Sequence, residues 1–140
     1  MNKTIKRIPA VLLAALLVAA ACMPGFTAFA APGGSCGPNA TWSLAGTTLS
    51  IKGSGGMYDY PMFAENPPPW YGKTYTKINI GNAITGIGDY AFYDNPNLAQ
   101  VTGGNGLVAI GNGAIDTTKW QDNLPSGQVI YVGHVAYTYK

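Results

Sequence analysis

The chain carries one histidine, His134, and six acidic side chains: Asp59, Glu65, Asp89, Asp94, Asp116 and Asp122. A histidine acts as a catalytic base only beside a nucleophile and a carboxylate that orients it. His134 instead follows Gly133 between two strand-like runs, where a turn residue is expected. A zinc site cannot be closed by Cys36 and His134 alone. A glycosidase holds two carboxyl groups about 5–9.5 Å apart, one kept protonated by burial. Nothing in the spacing of these six acids singles out such a pair, and Asp89 reads better as an N-cap. Neither a P-loop nor a strand-linked dinucleotide-binding glycine motif occurs. We therefore expect no enzyme, no catalytic residue, no bound metal and no cofactor.

Aromatic side chains are the remaining chemistry. The chain beyond residue 30 holds 3 Trp, 9 Tyr and 2 Phe. Trp70-Tyr71 follows the rigid Pro67-Pro68-Pro69 run, and exposed rings of this kind bind sugars or protein surfaces. Tyr131, Tyr137 and Tyr139 alternate along the last strand-like segments and define a second candidate face. The expected binding residues are thus Trp70, Tyr71, Tyr131, Tyr137 and Tyr139. The competing reading has the same rings plugging a small core.

The elements that position these rings begin after a leader. Lys3, Lys6 and Arg7 precede an uncharged apolar run from Ile8 to Cys22, and Ala28-Phe29-Ala30 forms a small-x-small cleavage site. The run falls short of the ~20 residues needed to span a bilayer. We read residues 1–30 as a signal peptide cleaved after Ala30, which predicts a secreted or cell-surface protein with no mature transmembrane segment. Lipidation at Cys22 is the weaker reading, because Ala19 replaces the branched residue expected three positions earlier. Removing Lys3, Lys6 and Arg7 leaves five lysines against six acids, so the net charge drops from +2 to −1. The basic balance belongs to targeting, and no nucleic-acid partner is expected. Cys36 is left as a lone cysteine, expected to be structural and partly buried, without an intramolecular disulfide.

Residues 31–40 are Gly/Pro-rich and read as a flexible leading segment. Thr41-Trp42-Ser43-Leu44 and Leu49-Ser50-Ile51 alternate around a glycine turn, which predicts a hairpin with Trp42 and Leu44 opposite Ile51 and Leu49. That hairpin and an aromatic loop, held by residues such as Met57, Phe63 and Trp70, make a cap over residues 41–76. Next, KINIGNAITGIGDYAF (77–92) and QVTGGNGLVAIGNGAI (100–115) align at an offset of 23 residues. A period of roughly 20–29 residues is that of leucine-rich repeats. Ile78, Ile84, Ile87, Ala91 and Phe92 match Val101, Leu107, Ile110, Ala114 and Ile115 as inward positions. Leu98 adds an apolar contact. Gly81 and Gly104 are expected at positive φ, Gly88 and Gly111 at sharp corners, and Asp89 and Asn112 as caps of short helical turns. Residues 77–119 thus form about two coils, and residues 120–140 a C-terminal hairpin turned at Gly133-His134. The predicted fold class is mainly β with short helical turns: a short leucine-rich-repeat-like solenoid capped by hairpins.

These residues resemble the BspA-like leucine-rich repeat surface proteins of bacteria. The Ile87-Gly88-Asp89-Tyr90-Ala91-Phe92 block looks like that family's repeat core. Cys36-Gly37 with Thr41 to Leu44, Leu49 to Ile51 and Gly53-Ser54-Gly55 looks like its N-terminal module, and Trp120 to Tyr139 is similar to a hairpin that follows the repeats. Three departures stand out. Asp94-Asn95 replaces a cysteine that often follows the Ala-Phe pair, Gly113-Ala114-Ile115 replaces an aromatic pair, and two coils stand where relatives have many. The resemblance implies a non-enzymatic module for adhesion or binding to a protein or glycan at the cell surface. The alternative is a small carbohydrate-binding domain using exposed Trp and Tyr.

Overall fold

A computed structural model of the chain describes residues 31–62 and 65–140. The predicted leader and Phe63 lie outside the described residues. The element order is β1 (Gly33–Ser35), β2 (Asn39–Ala45), β3 (Thr48–Gly56), β4 (Lys77–Ile80), β5 (Ile84–Ile87), β6 (Gln100–Gly103), β7 (Ala109–Ile110), α1 (Lys119–Asp122), β8 (Val129–Val132) and β9 (Val135–Tyr139). Among the described residues strands dominate and the single helix spans four residues, as the Gly-, Thr- and Tyr-rich composition leads one to expect.

β2 and β3 form the expected antiparallel hairpin, with Trp42 opposite Ile51 and Leu44 opposite Leu49. The leading segment is not loose. Gly33–Ser35 pairs with Thr41–Ser43 as an added edge strand, and Cys36 behind it is fully buried rather than partly so. The Tyr58 amide donates to the Cys36 carbonyl, which ties this stretch to the end of β3.

Parallel ladders run on from β3. Thr48 lies opposite Lys77, and Lys77 opposite Gln100, so β3, β4 and β6 stack side by side. Leu49, Ile78 and Val101 thereby form one aliphatic row. A second ladder joins Gly55 to Ile84, and then Gly86 to Ala109 and Ile87 to Ile110. The glycine run 53–56 therefore does not end β3 but carries it from the first ladder into the second. β4–β6 and β5–β7 keep the 23-residue spacing of the sequence pattern.

The matched apolar positions face one core. Ile78, Ile84, Ile87, Ala91, Phe92, Leu98, Leu107, Ala114 and Ile115 are buried, while Val101 and Ile110 are half-buried against them. Gly88 and Gly111 serve close approach. A Cβ on Gly88 would overlap the Tyr58 carbonyl oxygen, and one on Gly111 would overlap the Asp89 amide nitrogen. Of the Gly81/Gly104 pair only Gly104 takes positive φ.

Asp89 and Asn112 lead turns, not helices, and Asp89 does not cap its own turn. Its Oδ1 accepts from the Asn112 amide at 2.7 Å, and its own amide donates to Asp59 Oδ1 at 2.9 Å. The carboxylates thus bridge neighbouring layers. The reason is geometric: stacked turns leave unpaired amides, and a side-chain oxygen one layer away reaches them.

β8 and β9 form the C-terminal hairpin, turned at Gly133 (φ +58). β8 lies beside β6 and β9 beside β7. Thr118 caps α1 by accepting from the Gln121 amide at 3.1 Å, and the Trp120 ring packs against Tyr137. Among the described residues no helix is long and apolar enough to cross a membrane.

Candidate binding cleft

The proline run and the adjoining turn place Trp70 and Tyr71 on opposite sides of the chain. The Tyr71 amide donates to the Pro68 carbonyl at 2.8 Å and the Lys73 amide to the Trp70 carbonyl at 3.0 Å. Trp70 turns inward and is 1% exposed. Its ring meets Trp42, Tyr60 and Phe92 at centroid distances of 5.8, 5.7 and 5.5 Å. Its Nε1 donates to the Ala91 carbonyl at 2.7 Å, which satisfies the buried indole. Trp70 is therefore not a binding residue; it pins the 57–76 loop onto the Ala91 turn. Tyr71 is 60% exposed and does face outward.

Tyr71 lines a cleft of about 240 Å³. Tyr90, Tyr93 and Asp94 line it too, and Pro61, Met62, Pro67 and Pro68 complete the lining. The Tyr90 and Tyr93 rings stand edge to face, 5.7 Å apart and 88° to one another. Tyr90 has φ +51 and Asp94 φ +57, both in the left-handed region. The positions 23 residues on, Gly113 and Thr117, have φ +57 and +59, so this backbone shape recurs. Glycine accommodates it without strain, whereas a tyrosine at Tyr90 pays roughly 1–2 kcal/mol. A Cβ on Gly113 would stand 2.6 Å from Tyr90 Cε1, so the glycine leaves room for the tyrosine ring.

The end hairpin corrects a second expectation. Ile130 pairs with Thr138 but Tyr131 with Ala136, so Tyr137 is the extra residue of a bulge. The bulge reverses the side-chain alternation beyond it. Tyr137 consequently turns inward, and its hydroxyl donates to Asp116 Oδ1 while accepting from the Ile115 amide at 3.1 Å. Burial, with Asp116 adding to it, pushes the Tyr137 hydroxyl pKa above the usual tyrosine range. It anchors the hairpin and is not part of an exposed face. Tyr131 and Tyr139 are 59% and 71% exposed and share the outer face with Val129 and Ala136.

Nothing in the repeat pattern marks Tyr90, Tyr93 and Asp94 as binding residues, except the mismatch of an aromatic at Tyr90 where its counterpart is Gly113. Among the described residues no group of three or more His, Cys, Asp or Glu side chains is placed to hold a metal.

Neither a family model nor a curated protein matches this chain. A solved structure does: a leucine-rich repeat protein from Eubacterium ventriosum, 28% identical, with a TM-score of 0.55. The match covers 63% of this chain and 24% of that protein, so it spans about a quarter of the longer molecule. The chain therefore has a leucine-rich-repeat-like fold, mainly β with very little helix.

Proposed function

We propose that this chain is an exported, non-enzymatic leucine-rich-repeat module of the BspA-like kind that binds a protein or glycan partner at the cell surface through the Tyr71–Tyr90–Tyr93 cleft. In this proposal residues 77–119 are two coils of a short solenoid. The 23-residue ladder register and the inward rows of aliphatic side chains support it. β3 adds a third layer, and stacked repeats need about three to bury a continuous core. The observation that carries the binding site is Tyr90. A bulky residue is held in the left-handed region at the edge of a tyrosine-lined cleft, where the matching coil uses glycine. Strained residues gather at binding sites. The exposed position of His134 at a hairpin tip fits a non-catalytic module.

Export is tested by expressing the full chain in a bacterial host and sequencing the N-terminus of the released protein. The expected first residue is Ala31; a product retaining residues 1–30 overturns export. Binding is tested by screening that protein on glycan arrays and against extracellular matrix proteins, beside its Tyr71→Ala variant. Binding lost in the variant is expected. Binding that survives it places the partner elsewhere, and turnover of a glycan or peptide overturns the non-enzymatic reading. The carbohydrate-binding alternative draws on the exposure of Tyr71, but the perpendicular Tyr90 and Tyr93 rings give no flat two-ring platform.

A further inference from the structure

The chemistry of the cleft narrows what it takes, and this inference rests on that cleft being the binding site. Tyr90 and Tyr93 both line the cleft and stand edge to face, at 88° to one another. Tyr71, also in the lining, presents a ring 60% exposed. Asp94 is exposed at the same opening and brings a carboxyl group. No lysine belongs to the lining. An aromatic face carries the negative end of a quadrupole, so three tyrosines and one carboxylate favour a cation. The apolar walls disfavour a cation that must keep its water, such as a primary ammonium, which is compact and strongly hydrated. A quaternary ammonium group is weakly hydrated and covered in methyl groups, and aromatic cages recognise it. Asp94 would repel an accompanying phosphate.

We propose that Tyr71, Tyr90, Tyr93 and Asp94 form an aromatic cage for the quaternary ammonium group of a choline-type ligand. The test titrates the protein recovered from an expressing host with choline chloride, with its neutral tert-butyl isostere and with phosphocholine, following tyrosine ring protons by NMR. Choline is expected to give saturable shifts at Tyr71, Tyr90 and Tyr93. The isostere is expected to bind roughly two- to thirty-fold more weakly, the range of a cation–π contribution. Phosphocholine is expected to bind more weakly than choline. Asp94→Asn removes the charge while keeping a residue that tolerates the left-handed backbone, and is expected to weaken choline severalfold. Tyr71→Ala removes an exposed ring that the fold does not need, and is expected to do the same.

Equal binding of choline and the isostere overturns the cage in favour of a neutral apolar slot, suited to a proline-rich peptide. Absence of any saturable shift, or choline binding unchanged in Asp94→Asn, overturns it as well. The two readings fail separately. If choline does not bind but Tyr71→Ala still abolishes a partner found on the arrays, the cage is wrong and the cleft stands. If the partner survives Tyr71→Ala, the cleft itself is wrong.

Discussion

Tyr60 sits beside Trp70 with its hydroxyl buried and without a partner among the described residues. Burial, more than the neighbouring Cys36 and Tyr58, pushes its pKa up. A buried hydroxyl with no partner costs about 1–3 kcal/mol. Tyr60→Phe keeps the ring and removes that cost, so it should raise the urea midpoint of unfolding; a lower midpoint would show that the hydroxyl is satisfied. Trp70→Phe should act in the opposite direction. It empties part of the ring cluster and leaves the Ala91 carbonyl without its donor, a loss of about 2–4 kcal/mol, read from the same denaturation curves.

Elements in this fold are joined by close backbone approach. Gly111→Ala would force a methyl group against the Asp89 amide and open the contact between successive turns. The collision is with backbone and cannot be relieved by a rotamer change, so a loss of at least about 2 kcal/mol is expected. Asp89→Ala tests the same joint through its hydrogen bonds. It leaves the Asn112 amide without its acceptor and should cost about 1 kcal/mol, with faster amide exchange at Asn112 as the specific readout. Gly113→Ala presses on the Tyr90 ring, so it should disturb the cleft as well as stability.

Among the described residues a core runs from the N-terminal hairpin through the parallel ladders to Val132. Cys36 lies within it, and burial raises its thiol from 9.0 to about 11. Tyr75 is raised from 10.0 to about 12 by burial, partly offset by its hydrogen bond to Asn95. Both groups are neutral when folded and ionise more readily when unfolded. Their contribution to stability is whole below the unfolded values, falls as pH rises past 9.0, and is lost as pH passes the folded values. Unfolding midpoints should therefore decline above that point. A thiol reagent at about pH 8 should label Cys36 slowly in the folded protein and quickly in denaturant. Fast labelling of the folded chain would show that the thiol is accessible.

The 23-residue offset, the inward aliphatic positions and the N-terminal hairpin register were all legible in the sequence. Each depends on local alternation or on a spacing that must recur when similar turns stack. The fates of neighbouring rings were not legible. Trp70 and Tyr71 are adjacent, yet one fills the core and the other faces water, and only the turn at Pro68 separates them. Tyr137 and Tyr139 have the same parity, yet a one-residue bulge sends them to opposite sides. His134 lies at a hairpin tip and Cys36 is a buried thiol. The tyrosine cleft arises because two turns place Tyr71 beside Tyr90 and Tyr93, which are distant in sequence. Periodicity determines which residues repeat and which positions face inward. Tertiary packing alone decides which aromatic rings remain on the surface, because that depends on volume, bulges and contacts between segments far apart in the chain.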